Sequence, residues 1–144
     1  MQKSIDEILQ ENNAYLKEHF GLNVDEFLSI MGNAGPSNVF KKKHPDYNWK
    51  PDNPTEGWCA QLNRFLKDFN HLPKGFQVFK NNNGLHYYLY DGKNTIIDLT
   101  IYQFSGKQSI NYDCKHAKFN PVPNKSTKDA INLSRLFPTT SSHG

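Results

Sequence analysis

Apolar residues recur at helical spacing in the first half of the chain and alternate with polar ones after Gly75, which separates a helical portion from a strand portion. Ile5, Ile8, Leu9, Leu16 and Phe20 form one stripe, with Ser4 and Glu7 at capping-box spacing, so a helix is expected from Ser4 to Phe20, ending at Gly21. Asn23 with Glu26 repeats the start signal, and Val24, Phe27, Leu28 and Met31 give a second, shorter helix that stops at Gly32. Gly32 to Thr55, with its prolines, reads as a long irregular stretch of the kind that carries function. The clearest helix follows. Thr55, or Asn53 a little earlier, is the expected cap, and Trp58, Leu62, Phe65, Leu66 and Phe69 make one apolar face.

Three strands are then expected, over Phe76–Lys80, Leu85–Tyr90 and Thr95–Phe104, with turns at Asn81–Gly84 and Asp91–Lys93 and a short fourth strand over Tyr112–Phe119. Ser126 and Asp129 open a last helix whose Ala130, Leu133, Leu136 and Phe137 face inward. Helices, a strand meander and a closing helix predict an α+β domain over residues 1–137, with the sheet packed on the third helix. Residues 138–144 are polar and expected to be disordered.

At 144 residues the chain has the length of one domain, and its 36% hydrophobic and 22% charged residues are those of a soluble globular protein. The net charge of +3 is dispersed apart from Lys41-Lys42-Lys43, which argues against nucleic acid as a partner; a charge run of this kind is usually a solvated loop. No apolar run is long enough to span a bilayer and no signal-peptide layout opens the sequence, so synthesis in the cytoplasm is expected, where Cys59 and Cys114 stay reduced.

Cys59 falls in the first turn of the third helix. Unpaired backbone N–H groups and the positive end of the helix dipole favour a thiolate in that setting and can stabilise an oxyanion, although a lone cysteine is most often a small buried residue. His86 and Asp98 lie six residues on either side of Gly92. A three-residue loop there would oppose them across the ladder with Cβ atoms ~4.5–5.5 Å apart. A five-residue loop would leave them diagonal on one face, and a two-residue loop would put them on opposite faces. Asp98 interrupts the apolar run Ile96-Ile97-Asp98-Leu99, and a carboxylate there needs a partner, which His86 offers.

Gly57-Trp58-Cys59 at a helix start, His86-Tyr87-Tyr88-Leu89, and Ile97-Asp98-Leu99-Thr100 followed by Gln103-Phe104 resemble the papain-like/transglutaminase-like superfamily, in particular small papain-fold bacterial toxins and effector glutamine deamidases. The resemblance covers roughly Pro54 to Phe104. It implies a papain-like fold, Cys59 as nucleophile, His86 as general base and acid, Asp98 as the orienting acid, and no cofactor. It also implies a protein substrate, delivery into a host or target cell, and a cognate inhibitor or immunity protein as a further partner. Asn53 stands where papain-like proteases carry a glutamine that helps form the oxyanion hole, and the shorter amide makes it a weak candidate.

Trp58 is a candidate wall of a substrate cleft or a core residue, and Gln103 and Thr100 are candidates for the shell around Asp98, although strand-end polar residues usually face water. Cys114 and His116 lack the spacing and the second ligand pair of a zinc site. His19, His44, His71 and His143 have no carboxylate placed to orient them. The expected activity is a Cys-His-Asp amide hydrolase deamidating protein glutamine. Proteolysis or transglutamination would use the same residues. A non-catalytic binding protein on the same fold would instead use the 32–55 stretch with Phe40, Tyr47, Trp49 and its lysines.

Overall fold

The computed structural model describes residues 1–46, 53–81, 86–103, 108–116 and 127–138. The chain opens with a short strand, β1 (Gln2–Ser4), and passes into α1 (Ile5–Tyr15), which tightens into a π-helical turn over Leu16–Phe20 before Gly21. Ser4 accepts from the Glu7 N–H as expected, but the Glu7 carboxylate takes Lys3 Nζ at 2.8 Å instead of closing the capping box. The box at Asn23 and Glu26 is complete and starts α2 (Val24–Ala34), which runs through Gly32 to a left-handed Gly35.

Inside the stretch expected to be irregular lies α3 (Asn38–Lys43). Two groups account for it. Ser37 Oγ accepts from Phe40 N at 3.1 Å, and the distant Asp129 carboxylate accepts from Asn38 N at 2.8 Å and Val39 N at 3.2 Å. Tyr47 and Trp49 lie outside the described residues.

The third predicted helix is α4 (Cys59–Asp68), and it begins later than Thr55 or Asn53 would suggest. Residues 53–57 form turns instead, with Glu56 N donating to Asn53 O and Trp58 N to Thr55 O, so Trp58 occupies the cap position without a side-chain cap. Strands β2 (Gln77–Lys80), β3 (Tyr87–Tyr90), β4 (Ile96–Ile97) and β6 (Lys115–His116) form an antiparallel sheet in the order β4-β3-β2-β6. A separate ribbon pairs β1 with β5 (Ser109–Asn111). The chain closes with α5 (Lys128–Leu136), capped by Thr127 rather than Ser126, which is outside the described residues. The architecture is α+β.

One expected strand is corrected. Thr95–Phe104 yields only β4, then a turn and a 3-10 turn over Ile101–Gln103, while Phe104 lies outside the described residues. After Ile97 the chain turns, with Ile101 N donating to Asp98 O at 3.2 Å. Asn12 on α1 holds the same residue, its side-chain amide donating to Asp98 O at 2.8 Å and its Oδ1 accepting from Asp98 N at 2.9 Å. Of the predicted Tyr112–Phe119 strand, residues 112–114 are not strand and Lys115–His116 form β6; residues 117–119 lie outside the described residues, as do 82–85 and 139–144.

Strand alternation divides the core in two. Val78, Leu89 and Ile97 face Leu62, Phe65 and Leu66 of α4, behind which pack Phe27, Met31, Ala130 and Leu133 of α2 and α5. Phe79, Tyr88, Tyr90 and Ile96 face the other way, with Ile8 and Tyr112. At the far end of α4, Asn70 adopts a left-handed φ of 62°, and His71 turns back among Phe20, Phe65 and His19. His71 Nδ1 lies 2.9 Å from His19 Nε2, and its carbonyl accepts from Tyr15 Oη at 2.6 Å.

Burial first, and then the charge of His19, lower the His71 pKa to about 4. A histidine whose pKa is depressed on folding stabilises the native state fully above its unfolded value near 6.5, and that contribution is lost as pH falls from there towards 4. His71→Leu is therefore expected to flatten the acid side of the stability curve by about 2 kcal/mol after allowance for solvent screening. Urea titrations of both proteins between pH 7 and pH 4 check this, and parallel curves would contradict it.

Candidate active site

The β3–β4 connection decides which side chains can meet. Tyr90 pairs with Ile96 and Leu89 with Ile97, so five residues, 91–95, form the loop. Asp91 holds it by accepting from Lys93 N, Asn94 N and Thr95 N at 2.8, 3.0 and 3.0 Å, with Gly92 at a φ of 80° that suits glycine. An odd-numbered loop keeps His86 and Asp98 on one face. Continuing the register sets Asp98 across from Tyr88, so His86 reaches it diagonally, as the longer of the two odd loops requires.

That reach ends in a hydrogen bond of 2.6 Å between His86 Nε2 and Asp98 Oδ2. The carboxylate accepts, so Nε2 carries the hydrogen and Nδ1 is left for another partner. A second hydrogen bond joins the His86 side chain to that of Cys59. The antiparallel strands place the start of β3 and the end of β4 at the same end of the sheet, and Cys59 is brought there by Asn63. The buried Asn63 amide donates to Cys59 O at 2.6 Å, one helical turn back, and to Tyr87 O at 3.1 Å, which ties the first turn of α4 to the first residue of β3.

Asp98 has no solvent exposure, and four side chains answer its polar groups. Tyr112 Oη donates to Oδ2 at 2.7 Å, and Thr100 Oγ1 to Oδ1 at 3.4 Å. His86 supplies the third contact, and Asn12 holds the backbone on either side. Burial, then the Asp98 charge and hydrogen bond, push the Tyr112 pKa far above the ordinary phenol value, so Tyr112 stays a neutral donor.

His86 meets opposing influences. Burial alone would lower its pKa, but the charge and hydrogen bond of Asp98, joined by the hydrogen bond and charge of Cys59, raise it to about 10. The imidazolium is thus the resting form at neutral pH, set between a carboxylate and a sulfur. Tyr87 also feels the sulfur, its phenol pKa raised by burial and then by the Cys59 charge. The group can hold a proton between sulfur and imidazole and keep the imidazole oriented while the proton moves.

The weaker candidates separate. Trp58 is fully buried in the core, with Nε1 donating to Gly35 O at 2.8 Å, so it packs the cysteine turn and walls no open cleft. Asn53 directs its amide to Glu56 Oε2 at 3.0 Å, a use within its own turn. Thr100, one of the two candidates for the shell around Asp98, faces its carboxylate and is buried. Gln103 sits in the 3-10 turn after Asp98, and its side chain is outside the described residues. Cys114 N donates to Tyr88 Oη at 2.8 Å, and among the described residues no three potential metal ligands come together.

Sequence reasoning overlooked Asn12, Asn63 and Tyr112. Asn12 and Asn63 each interrupt the apolar face of a helix, between Ile8 and Tyr15 and between Leu62 and Leu66, and a buried amide at such a place needs a partner. Tyr112 lies far along the chain and carries no local signal. Comparison of the chain with protein-family models, with curated proteins and with solved structures gives no match.

Because the folded pKa of His86 is raised, its stabilising contribution is complete below about 6.5 and is lost as pH climbs towards 10. In Asp98→Asn the His86 ring is expected to titrate well below its parent value, and stability loses its dependence on pH over that alkaline window. Ring-proton NMR titration and denaturant melts at pH 7 and pH 10 check both. Tyr112→Phe, which leaves one acceptor site of a buried carboxylate unfilled, is expected to cost about 1–3 kcal/mol in a denaturant melt at neutral pH.

Proposed function

We propose that this chain is a cysteine-dependent amide hydrolase of the papain-like type, with Cys59 as nucleophile, His86 as general base and acid and Asp98 as the orienting carboxylate, deamidating glutamine side chains of a protein. The observation that carries the reading is His86 bonded to the buried Asp98 at one ring nitrogen and to Cys59 through its side chain. A structural ion pair needs no thiol, and a core cysteine needs no buried carboxylate–imidazole pair pointed at it. The resemblance to effector deamidases adds the substrate class and the delivery into another cell. The same helix-then-strands order of cysteine, histidine and aspartate supports the papain-like assignment.

On this reading the Cys59 sulfur attacks the carboxamide carbon, and the carbonyl becomes an oxyanion facing the N-terminal turn of α4. The C–N bond breaks as His86 passes its proton to the nitrogen, and ammonia leaves a thioester. Water then gives a proton to His86 and its oxygen to the acyl carbon. The C–S bond breaks, yielding glutamate and restoring the sulfur–imidazolium pair. Throughout, Asp98 holds the ring through Nε2 and Asn63 holds the turn that carries the sulfur.

Intact-mass analysis of candidate proteins incubated with the purified chain tests the reading. A gain of about 1 Da per site is expected, and Cys59→Ala, His86→Ala and Asp98→Asn are each expected to slow it by roughly 10³-fold or more. Cleaved or crosslinked products would replace deamidation by proteolysis or transglutamination. Iodoacetamide labelling of Cys59 no faster than a free thiol would remove the enzymatic reading itself.

A further inference from the structure

The three consecutive lysines, which the sequence alone leaves as a solvated run, sit on a helix attached to the turn that carries Cys59. Three contacts make that attachment. A Cβ built on Gly57, at a φ of 79°, would lie 2.5 Å from Phe40 Cγ, so the Phe40 ring rests directly on the backbone two residues before Cys59. Ser37 Oγ donates to Gly57 O at 3.0 Å, and Trp58 Nε1 donates to Gly35 O at 2.8 Å. Asp129 holds the other side of α3 from α5 through its two backbone bonds. Helix α3 therefore has one position relative to the nucleophile's turn, and Lys41, Lys42 and Lys43 follow Phe40 within a single turn, ~5.4 Å of helix.

All three lysines are exposed, and among the described residues none makes an ion pair. Cations at a helix C-terminus interact favourably with its dipole, and that accounts for some basic character there. It does not account for three ammonium groups that have no ion pair among the described residues, on a six-residue helix braced against the cysteine turn from two sides. A nucleic acid would ask for a longer basic stripe. The chain has only two arginines, and one of them, Arg64, is buried and paired with Asp68.

We propose that Lys41, Lys42 and Lys43 form a docking surface for an acidic segment of the substrate protein, holding it beside Cys59. The proposal rests on the reading of Cys59 as a nucleophile towards protein glutamine and supplies a recognition feature for that target. Lysine ammonium groups act as point charges on carboxylates, so the surface selects for charge rather than sequence and speeds encounter at low ionic strength.

The test uses the full chain and two fluorescein-labelled peptides, each with one glutamine, one flanked by glutamates and one by serines. Fluorescence anisotropy is read at low salt and at about 150 mM salt. The triple variant Lys41→Gln/Lys42→Gln/Lys43→Gln keeps good helix formers and places no acid at the helix C-terminus. It is expected to bind the acidic peptide about tenfold more weakly, with the serine peptide unchanged and the parent's salt dependence much reduced. Lys17→Gln/Lys74→Gln should match the parent, and circular dichroism should show the triple variant folded. Cys59→Ala should bind the acidic peptide as the parent does, so loss of turnover and loss of docking are read separately. A change under about twofold in the triple variant overturns the proposal. So does tighter binding, through the same lysines, of a labelled single-stranded oligonucleotide or of phosphatidylserine vesicles.

Discussion

A carboxylate sealed from water must recover from the protein the hydration it gives up, and a bare one would instead take a proton or unfold its surroundings. Asp98 is in that position, and the elements around it are arranged to meet the need. Helix α1 supplies Asn12, the start of β3 supplies His86, the turn after β4 supplies Thr100, and the residue after β5 supplies Tyr112. None of these partners can be removed without leaving buried polarity unmet. The same set also fixes what the site can do, because the imidazole that neutralises the carboxylate becomes the group that faces the sulfur. The cluster that meets the need of the buried carboxylate is thus also the one that orients the imidazole.

How much of this was legible in the sequence depends on how far each signal reaches. Binary patterning marked the helix on which Cys59 sits and the strands on either side of Gly92, since those patterns are local and repeat within a few residues. It marked Asp98 as anomalous because a carboxylate amid Ile96, Ile97 and Leu99 conflicts with its neighbours. It did not reveal that Asn12 holds the Asp98 backbone, because the two residues lie 86 apart in the chain. Tyr112, 14 residues beyond Asp98, carries no periodic signal that points to the carboxylate. Helix α3 escaped because Asp129, which stabilises its first turn, belongs to the other end of the chain. Local propensity for residues 38–43 is modest, and the missing stabilisation comes from tertiary contact.

The start of α4 shows a different failure. Thr55 has the right chemistry for a cap, yet its hydroxyl is buried without a hydrogen-bond partner among the described residues, and the helix begins at Cys59. Packing decided the boundary. Trp58 fills the core and anchors to Gly35, Phe40 lies on Gly57, and those contacts leave room for a turn but not for a longer helix. The consequence is that the cysteine occupies the first helical position, with no side-chain cap competing for the helix's N-terminal N–H groups. A sequence-level preference yielded to a tertiary one.

The sheet ribbon that joins β1 to β5 has a further effect on time rather than on form. Its register spans Gln2 to Asn111, and Asn12 must find Asp98 across a comparable separation. Contacts this distant in sequence close late, since the entropy of bringing such segments together is spent before any stabilisation returns. His86 and Asp98 can meet early, through a hairpin of five loop residues, but Asp98 gains Asn12 only once the two halves of the chain have docked. A partly folded chain would therefore hold the imidazole and carboxylate near one another without the burial that sets their charge states. The sulfur would meet an imidazole in its final charge state only in a molecule whose long-range topology is already complete, so the finished site and the finished fold arrive together.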